Sequence, residues 1–365
     1  MQIHEFKLKE LKGLLTSAAF QQTHSFPITP LRALSQYHNP RAKPEAIVLL
    51  VATDKTGDVI SYVGCLPDHL AQDQSIPVAW NSCWWRHPEK GKRIALPLLL
   101  RAIQLWEGRM LFDDLPAHST TILEKMGGFS FRKIVGLRCF LAFKFHKILP
   151  QKKASLVPFT GLLRGVDFLL NASWYRAKKT WWRRSRKQES LRIESVTKID
   201  EPTGSWITAH ATQELIGRNR ATLNWILAYP WLSTQPKDKE IAARYYFSSV
   251  ATVFKNLVYK LWKGEKLVAV LFFTNRDHQL KLPYVYFEKE VLPLVVDSIL
   301  EILIEQQAES FVCFQKEICE CMTKMKTLFY YQKEIEKTFG IAESLEKYLV
   351  ETPVIQDGDG DWVFT

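Results

Sequence analysis

"CWWRHPEKGKRIALPLLLRAIQLW", residues 83–106, runs from an aromatic, strand-forming segment through a charged turn into an apolar helix. The turn holds Gly91 with Lys90, Lys92 and Arg93, and Ile94, Leu98, Ala102 and Leu105 then recur at the spacing of a buried helical stripe. A helix entered this way presents unpaired backbone N–H groups at the positive end of its dipole, which suits a pyrophosphate. The same residues also suit a solvated loop ahead of a core helix. What surrounds the stretch has to separate the two readings.

The surroundings repeat. "AIVLLVATDKTGDVISYVGCL" (46–66) reads as a hairpin turning at Gly57, and "NLVYKLWKGEKLVAVLFFT" (256–274) repeats the design around Gly264. After each hairpin come a strand ("PVAWNSCWW", 77–85; "PYVYFE", 283–288), a helix, and a short apolar strand ("MLFDD", 110–114; "FVCFQ", 311–315). The two helices align as "ALPLLLRAI" (95–103) and "VLPLVVDSI" (291–299), with Pro97 and Pro293 in the first turn, where proline sacrifices no intrahelical bond. A second helix is expected in "HSTTILEKMG" (118–127) and in "KTLFYYQKEIEKTFG" (326–340), with closing strands in "FSFRKIVGLRCFLAFKF" (129–145) and the tail "GDWVFT" (360–365). This predicts a duplicated α/β fold, each copy a mixed sheet flanked by helices, with domains at 1–150 and 191–365 joined by a basic linker helix at 151–190.

A chain of 365 residues, 47% hydrophobic and 12% aromatic, has material for two cores. Its +11 charge is concentrated: residues 151–190 carry ten Lys/Arg against Asp167 and Glu189, or +8, leaving +3 elsewhere. In that segment Leu162, Leu163, Val166, Leu169, Leu170, Ala177 and Trp181 fall near one helical stripe. Residues 157–187 therefore fit an interfacial helix on anionic membrane, at the inner face, or a brace between domains. Nucleic acid is disfavoured, since Trp181 and Trp182 are the only stacking candidates among the cations. The six cysteines form no CxxC pair and Cys319 and Cys321 lack a nearby His, so reduced thiols and no metal are expected. With no signal-peptide pattern and no long uncharged apolar run, the expected location is the cytoplasm. "DGDGDWVFT" opens like a calcium loop but lacks the twelfth-position glutamate, and reads as a polar turn before a final strand.

The order strand, "HPEKGKRIALPLLL", "MLFDD", "STTILEKMGGFSF" resembles the acyl-CoA-binding core of the GNAT N-acetyltransferase superfamily over residues 45–145, and by element order alone over 192–365. The resemblance implies a double-GNAT protein of two tandem, largely antiparallel twisted sheets. It implies an acyltransferase that takes acetyl-CoA or another acyl-CoA as co-substrate and acylates a small-molecule amine, such as an amino sugar or sugar precursor. The family turn Gln/Arg-x-x-Gly-x-Gly/Ala, lying after a bulged fourth strand, maps onto Lys90, Gly91, Lys92, Arg93, Ile94 and Ala95, with Trp84 and Trp85 on the preceding strand. Lys90 and Arg93 depart from it, and Leu123 stands where the family often has a tyrosine acid. In the second half Glu288 and Glu290 occupy the turn and would repel phosphate. Where the fourth and fifth strands part, the catalytic candidates are Asp113, Asp114 and His118. "RNRATLNWILAYPWL" (218–232) resembles a stretch of some double-GNAT proteins and offers Arg218, Arg220, Asn224 and Trp225 as acceptor contacts. A binding or scaffold protein docking through its basic helix, or an aminoacyl transferase that does not use CoA, fits the same plan.

Overall fold

The structure is a computed structural model that describes residues 1–17, 23–185, 189–211, 213–235, 238–324 and 329–365. In chain order the first elements are β1 (Gln2–Lys7), α1 (Leu11–Thr16), α2 (Pro30–Tyr37), β2 (Ile47–Thr53), β3 (Val59–His69), β4 (Pro77–Arg86), α3 (Ala95–Leu105), β5 (Met110–Phe112), α4 (Ala117–Met126) and β6 (Phe129–Phe140). Then follow α5 (Phe145–Lys152), α6 (Thr160–Ser185), β7 (Arg192–Val196), α7 (Glu201–His210), α8 (Arg220–Ala228), α9 (Lys239–Arg244), β8 (Phe254–Lys263), β9 (Lys266–Arg276), β10 (Gln279–Phe287), α10 (Leu292–Glu305), β11 (Ser310–Cys313), α11 (Lys316–Lys324) and β12 (Tyr331–Ala342). Both hairpins, both long apolar helices and both short strands lie where the sequence predicts them. Among the described residues no helix is long and apolar enough to cross a membrane.

The chain divides into two compact units that interleave along the sequence: one takes residues 1–134, 196–256 and 336–365, the other 135–195 and 257–335. In the first the strand order is β1-β2-β3-β4-β5-β12, antiparallel except for the β4–β5 pair. In the second it is β6-β11-β10-β9-β8-β7, and β10–β11 is again parallel. Each unit is thus a mixed, mostly antiparallel sheet with helices packed against it, and each takes its closing strand from the other sequence half. Gly340 and Ile341 of β12 pair with Phe112 and Leu111 of β5, while Leu137–Phe140 of β6 pair with Ser310–Cys313 of β11.

Two expectations are corrected here. The second helix of the later half is α11, upstream of "KTLFYYQKEIEKTFG", most of whose described residues form β12. The place of this segment in the sheet explains it: Phe339, Gly340, Ile341 and Ala342 are buried in one continuous run, and the ladder to β5 outweighs the helix propensity of Lys, Glu and Gln. The tail ends in a short 3₁₀ turn, Trp362–Phe364, not in a strand. Its Phe364, 1% exposed, stacks on Trp231 with centroids 4.7 Å apart.

The first unit's core gathers Leu50, Val63, Ala79, Leu98, Leu99, Ala102 and Phe112, which places the inner face of α3 on the sheet as its apolar stripe requires. The second gathers Leu261, Leu271, Phe273, Val295, Ile299, Leu303 and Phe311, with α10 in the corresponding role. Where β6 meets β11, a Cβ on Gly136 would lie 2.5 Å from the Phe314 ring and 2.6 Å from the Cys313 carbonyl oxygen. Gly136→Ala should cost about 2 kcal/mol, typical of overpacking at a rigid contact. Urea denaturation should show a lower midpoint at unchanged slope.

Candidate active site

Strand β4 is bulged. Gly64 pairs with Cys83 and Cys65 with Asn81, so Ser82 is an extra residue on β4. Gly64 is required opposite it, since a Cβ there would come within 2.6 Å of both Ser82 Oγ and Cys83 Sγ. On its other side β4 pairs with β5 only at Ala79↔Met110 and Trp80↔Leu111. From Asn81 to Arg86 the β5-facing edge of β4 consequently has no strand partner, and Asn81 Nδ2 donates to the Cys83 carbonyl there at 3.1 Å. The second unit repeats the device: β10 pairs with β11 at Gln279–Lys281, and its register against β9 then shifts between Lys281 and Tyr284.

Beyond β4 the chain turns sharply into α3. His87 N–H donates to the Ile60 carbonyl at 2.8 Å, and the N–H groups of Glu89 and Lys90 donate to His87 Nδ1 at 3.3 Å. Gly91 is wedged in the turn: a Cβ would meet the Ile60 oxygen at 2.4 Å and His87 N at 2.8 Å. Trp84 Nε1 donates to the Ala95 carbonyl at 3.1 Å, tying strand to helix, and Trp85 stacks on Tyr62 at 5.1 Å. Lys90 is held by Asp54 at 2.7 Å. Lys92 and Arg93 are exposed, and neither side chain meets a carboxylate among the described residues. Ile94 and Ala95 are buried and anchor the helix. In the second unit the turn residue Glu288 is paired with Lys266 at 2.8 Å, the opposite arrangement of charge.

At the end of β5 lies a group of partly and fully buried charges that the sequence reading only partly found. Asp113 Oδ2 accepts the Asp361 N–H at 3.1 Å and would be 2.1 Å from a Cβ on Gly360. The tail supplies three alternating aspartates. Asp357 pairs with Lys337, Asp359 with Arg218 at 3.5 Å, and Asp361 with Arg32 at 3.5 Å. Arg32 also lies 4.3 Å from the Trp231 ring centre. Burial pushes Asp113 well above the usual carboxylate range and the neighbouring Asp361 carboxylate adds to this, while Lys337 opposes it. Burial also raises Asp359 and Asp361, against the pull of Arg218 and Arg32 respectively. Asp114 has a left-handed backbone, φ 40°, and its charge adds a little to the rise at Asp113, while His118 is exposed on the first turn of α4.

The four acceptor candidates end on four different partners. Arg218, 4% exposed, bonds Asp68 at 2.9 Å, and Trp225, 6% exposed, donates to the Ser35 carbonyl at 2.7 Å. Arg220 pairs on the surface with Glu201, and Asn224 brackets the backbone of Ile199. The first unit has a cavity of about 270 Å³ lined by Arg41, His69, Trp106 and Arg109, but Pro77 at its wall begins β4, the end opposite the turn. The second has one of about 360 Å³ beside Tyr259, Glu301 and Glu305.

No family model matches the chain, and no curated protein does. Its structural neighbours are GCN5-related N-acetyltransferases. One from Anabaena variabilis is 11% identical, with 94% of this chain and 74% of that one covered at a TM-score of 0.48. One from Kribbella flavida is 10% identical, covering 94% and 71% at 0.45. A tandem GNAT protein of the clavulanic acid biosynthesis pathway is 10% identical, covering 92% and 97% at 0.44.

Glu214 gives this cluster a pH signature. It is 4% exposed, accepts from Gln356 Nε2 at 2.6 Å, and burial pushes its pKa up to about 6. A raised carboxylate favours folding below its unfolded pKa, and that contribution is lost as pH climbs through the folded value. Glu214→Gln should match the wild type in stability near pH 4 and exceed it above pH 6 by about 2 kcal/mol. Thermal denaturation across that range checks it.

Proposed function

We propose that this chain is an acyl-CoA-dependent N-acyltransferase acting on a small-molecule amine, with its site in the unit that contains β4 and β5. The observation that carries this reading is the bulge at Ser82, set where β5 leaves β4 and followed by a glycine-wedged turn into α3. An acyl donor of that kind supplies an activated thioester carbon. The residues present fit it at two points. Lys92 and Arg93 face solvent at the start of α3 with no carboxylate to neutralise them, as a diphosphate partner requires. About six residues of β4 then separate this turn from the last β5 pairing, roughly 20 Å at strand spacing, which suits a donor with a long arm.

On this reading the open backbone edge of β4 donates to the oxygen that gains charge as the acyl carbon is attacked. Asp113 takes the proton from the ammonium of the acceptor. Its raised pKa makes it a competent base once it is ionised, and Asp361, bonded to it and neutralised by Arg32, sets how readily that happens. Among acceptors, amino sugars and sugar precursors are the class to screen first, with Arg220 the one guanidinium of its stretch left at the surface. A binding or scaffold role has one observation in its favour: the tail backbone at Gly360–Asp361 lies against Asp113.

Calorimetric titration with CoA and acetyl-CoA should show saturable binding that weakens at least tenfold, about 1.4 kcal/mol, in a folded Lys92→Glu/Arg93→Glu variant. Absence of binding at millimolar ligand would sink the CoA reading and leave the scaffold or an aminoacyl donor. Where turnover is found, its rate should rise with pH along a limb set by Asp113. Asp361→Asn removes a charge that adds to burial in raising Asp113, so it should move that limb to lower pH, and Asp113→Asn should remove it.

A further inference from the structure

Helix α6 lies within residues 151–190, which carry +8 of the chain's +11, and the fold leaves one of its sides bare. Its inner side is pinned. Asp167, 3% exposed, accepts from the N–H groups of Phe145 and His146 at 2.9 Å and meets His146 Nδ1 at 2.6 Å. One turn on, Asn171 exchanges two hydrogen bonds with the backbone of Phe143, at 2.7 and 3.0 Å, and Trp182 lies in the core of this unit. These anchors fix the rotation of the helix. At 3.6 residues per turn, Leu162, Val166 and Leu169 cluster roughly 150° away from Asp167 and Asn171. They are accordingly exposed, at 69%, 38% and 68%.

The exposure continues into the preceding turn and helix. Eight of the seventeen large apolar side chains exposed among the described residues lie between Ile148 and Leu170, including Val157, Phe159 and Phe168. That concentration is unlike the scattered apolar exposure of an ordinary surface. Around it Lys147, Lys152, Lys153, Arg164 and Arg184 are exposed, while the acid of the helix, Asp167, is buried and spent on α5.

We propose that residues 148–170 dock this protein on an anionic lipid bilayer, with Leu162, Val166 and Leu169 inserted among the acyl chains and the flanking cations at headgroup level. The charge selects this occupant. A second copy would bring the same cluster of Lys147, Lys152, Lys153 and Arg164, which has no exposed acid among it, against itself, whereas acidic lipid complements it. The helix lies on the surface and does not cross it, since it is too charged to span. The proposal is independent of the acyltransferase reading.

Co-sedimentation of the full chain with vesicles tests it, comparing phosphatidylcholine alone with phosphatidylcholine containing about a third phosphatidylglycerol. The wild type should sediment with the acidic vesicles, less so as salt rises. Leu162→Ser/Leu169→Ser, with circular dichroism unchanged, should lose at least about tenfold in partition, close to one decade per few buried methylenes. Lys152→Glu/Lys153→Glu/Arg164→Glu should lose the preference for acidic lipid. Wild-type protein left in the supernatant with both vesicle types would overturn the proposal, as would leucine variants that bind like the wild type. So would a wild-type dimer in solution that the leucine variant converts to monomer, which would make a second copy the occupant.

Discussion

The first unit depends on the pairing of three alternating aspartates in the tail with three cations drawn from distant parts of the sequence. Arg32 and the Asp113 carboxyl come from residues 1–134, Arg218 from 196–256, and Lys337 with the tail itself from 336–365. A buried carboxylate without a partner is too costly to keep ionised, and so is a buried guanidinium. Each segment is therefore held by the charge it must neutralise in another. Beside this group the Phe364 ring stacks on Trp231, whose ring also carries Arg32, so apolar material flanks the ion pairs.

Strand spacing explains why that group was hard to read. In "DGDGD" the acidic residues recur at every second position, and with glycines between them the stretch reads equally as a polar turn. Nothing local shows that the carboxylates face inward, because their partners lie more than a hundred residues away or on the preceding strand. The same holds for Arg218 and Trp225, whose residue types suit a sugar site as well as an ion pair and a core indole. By contrast, the hairpins at Gly57 and Gly264 and the stripes of α3 and α10 are written in neighbouring residues, and the structure has them in place. β12 departs from the helix its lysines and glutamates favour, because its place beside β5 is a property of the whole sheet.

Duplication is visible at a finer level than element order. In each unit the parallel pairing of a short strand stops where its neighbour bulges, at Ser82 in one and between Lys281 and Tyr284 in the other. The turns that follow have diverged in charge. Lys90 is held by Asp54 beside one hairpin, and Glu288 by Lys266 beside the other. The parallel pairing and the bulge recur in both copies, while the charge at the turn that follows has reversed.

The exchange of closing strands has a consequence for how the chain is made. The second unit draws on nothing beyond residue 335, so its sheet can close while later residues are still being added. The first unit, although it begins earlier, waits for β12 and the aspartates that follow. Until they arrive β5 has a bare edge, Arg32 lacks its carboxylate, and Arg218 has Asp68 but not Asp359. The order of synthesis is therefore the reverse of the order of completion, and the earliest-made strands spend the longest time open to wrong partners.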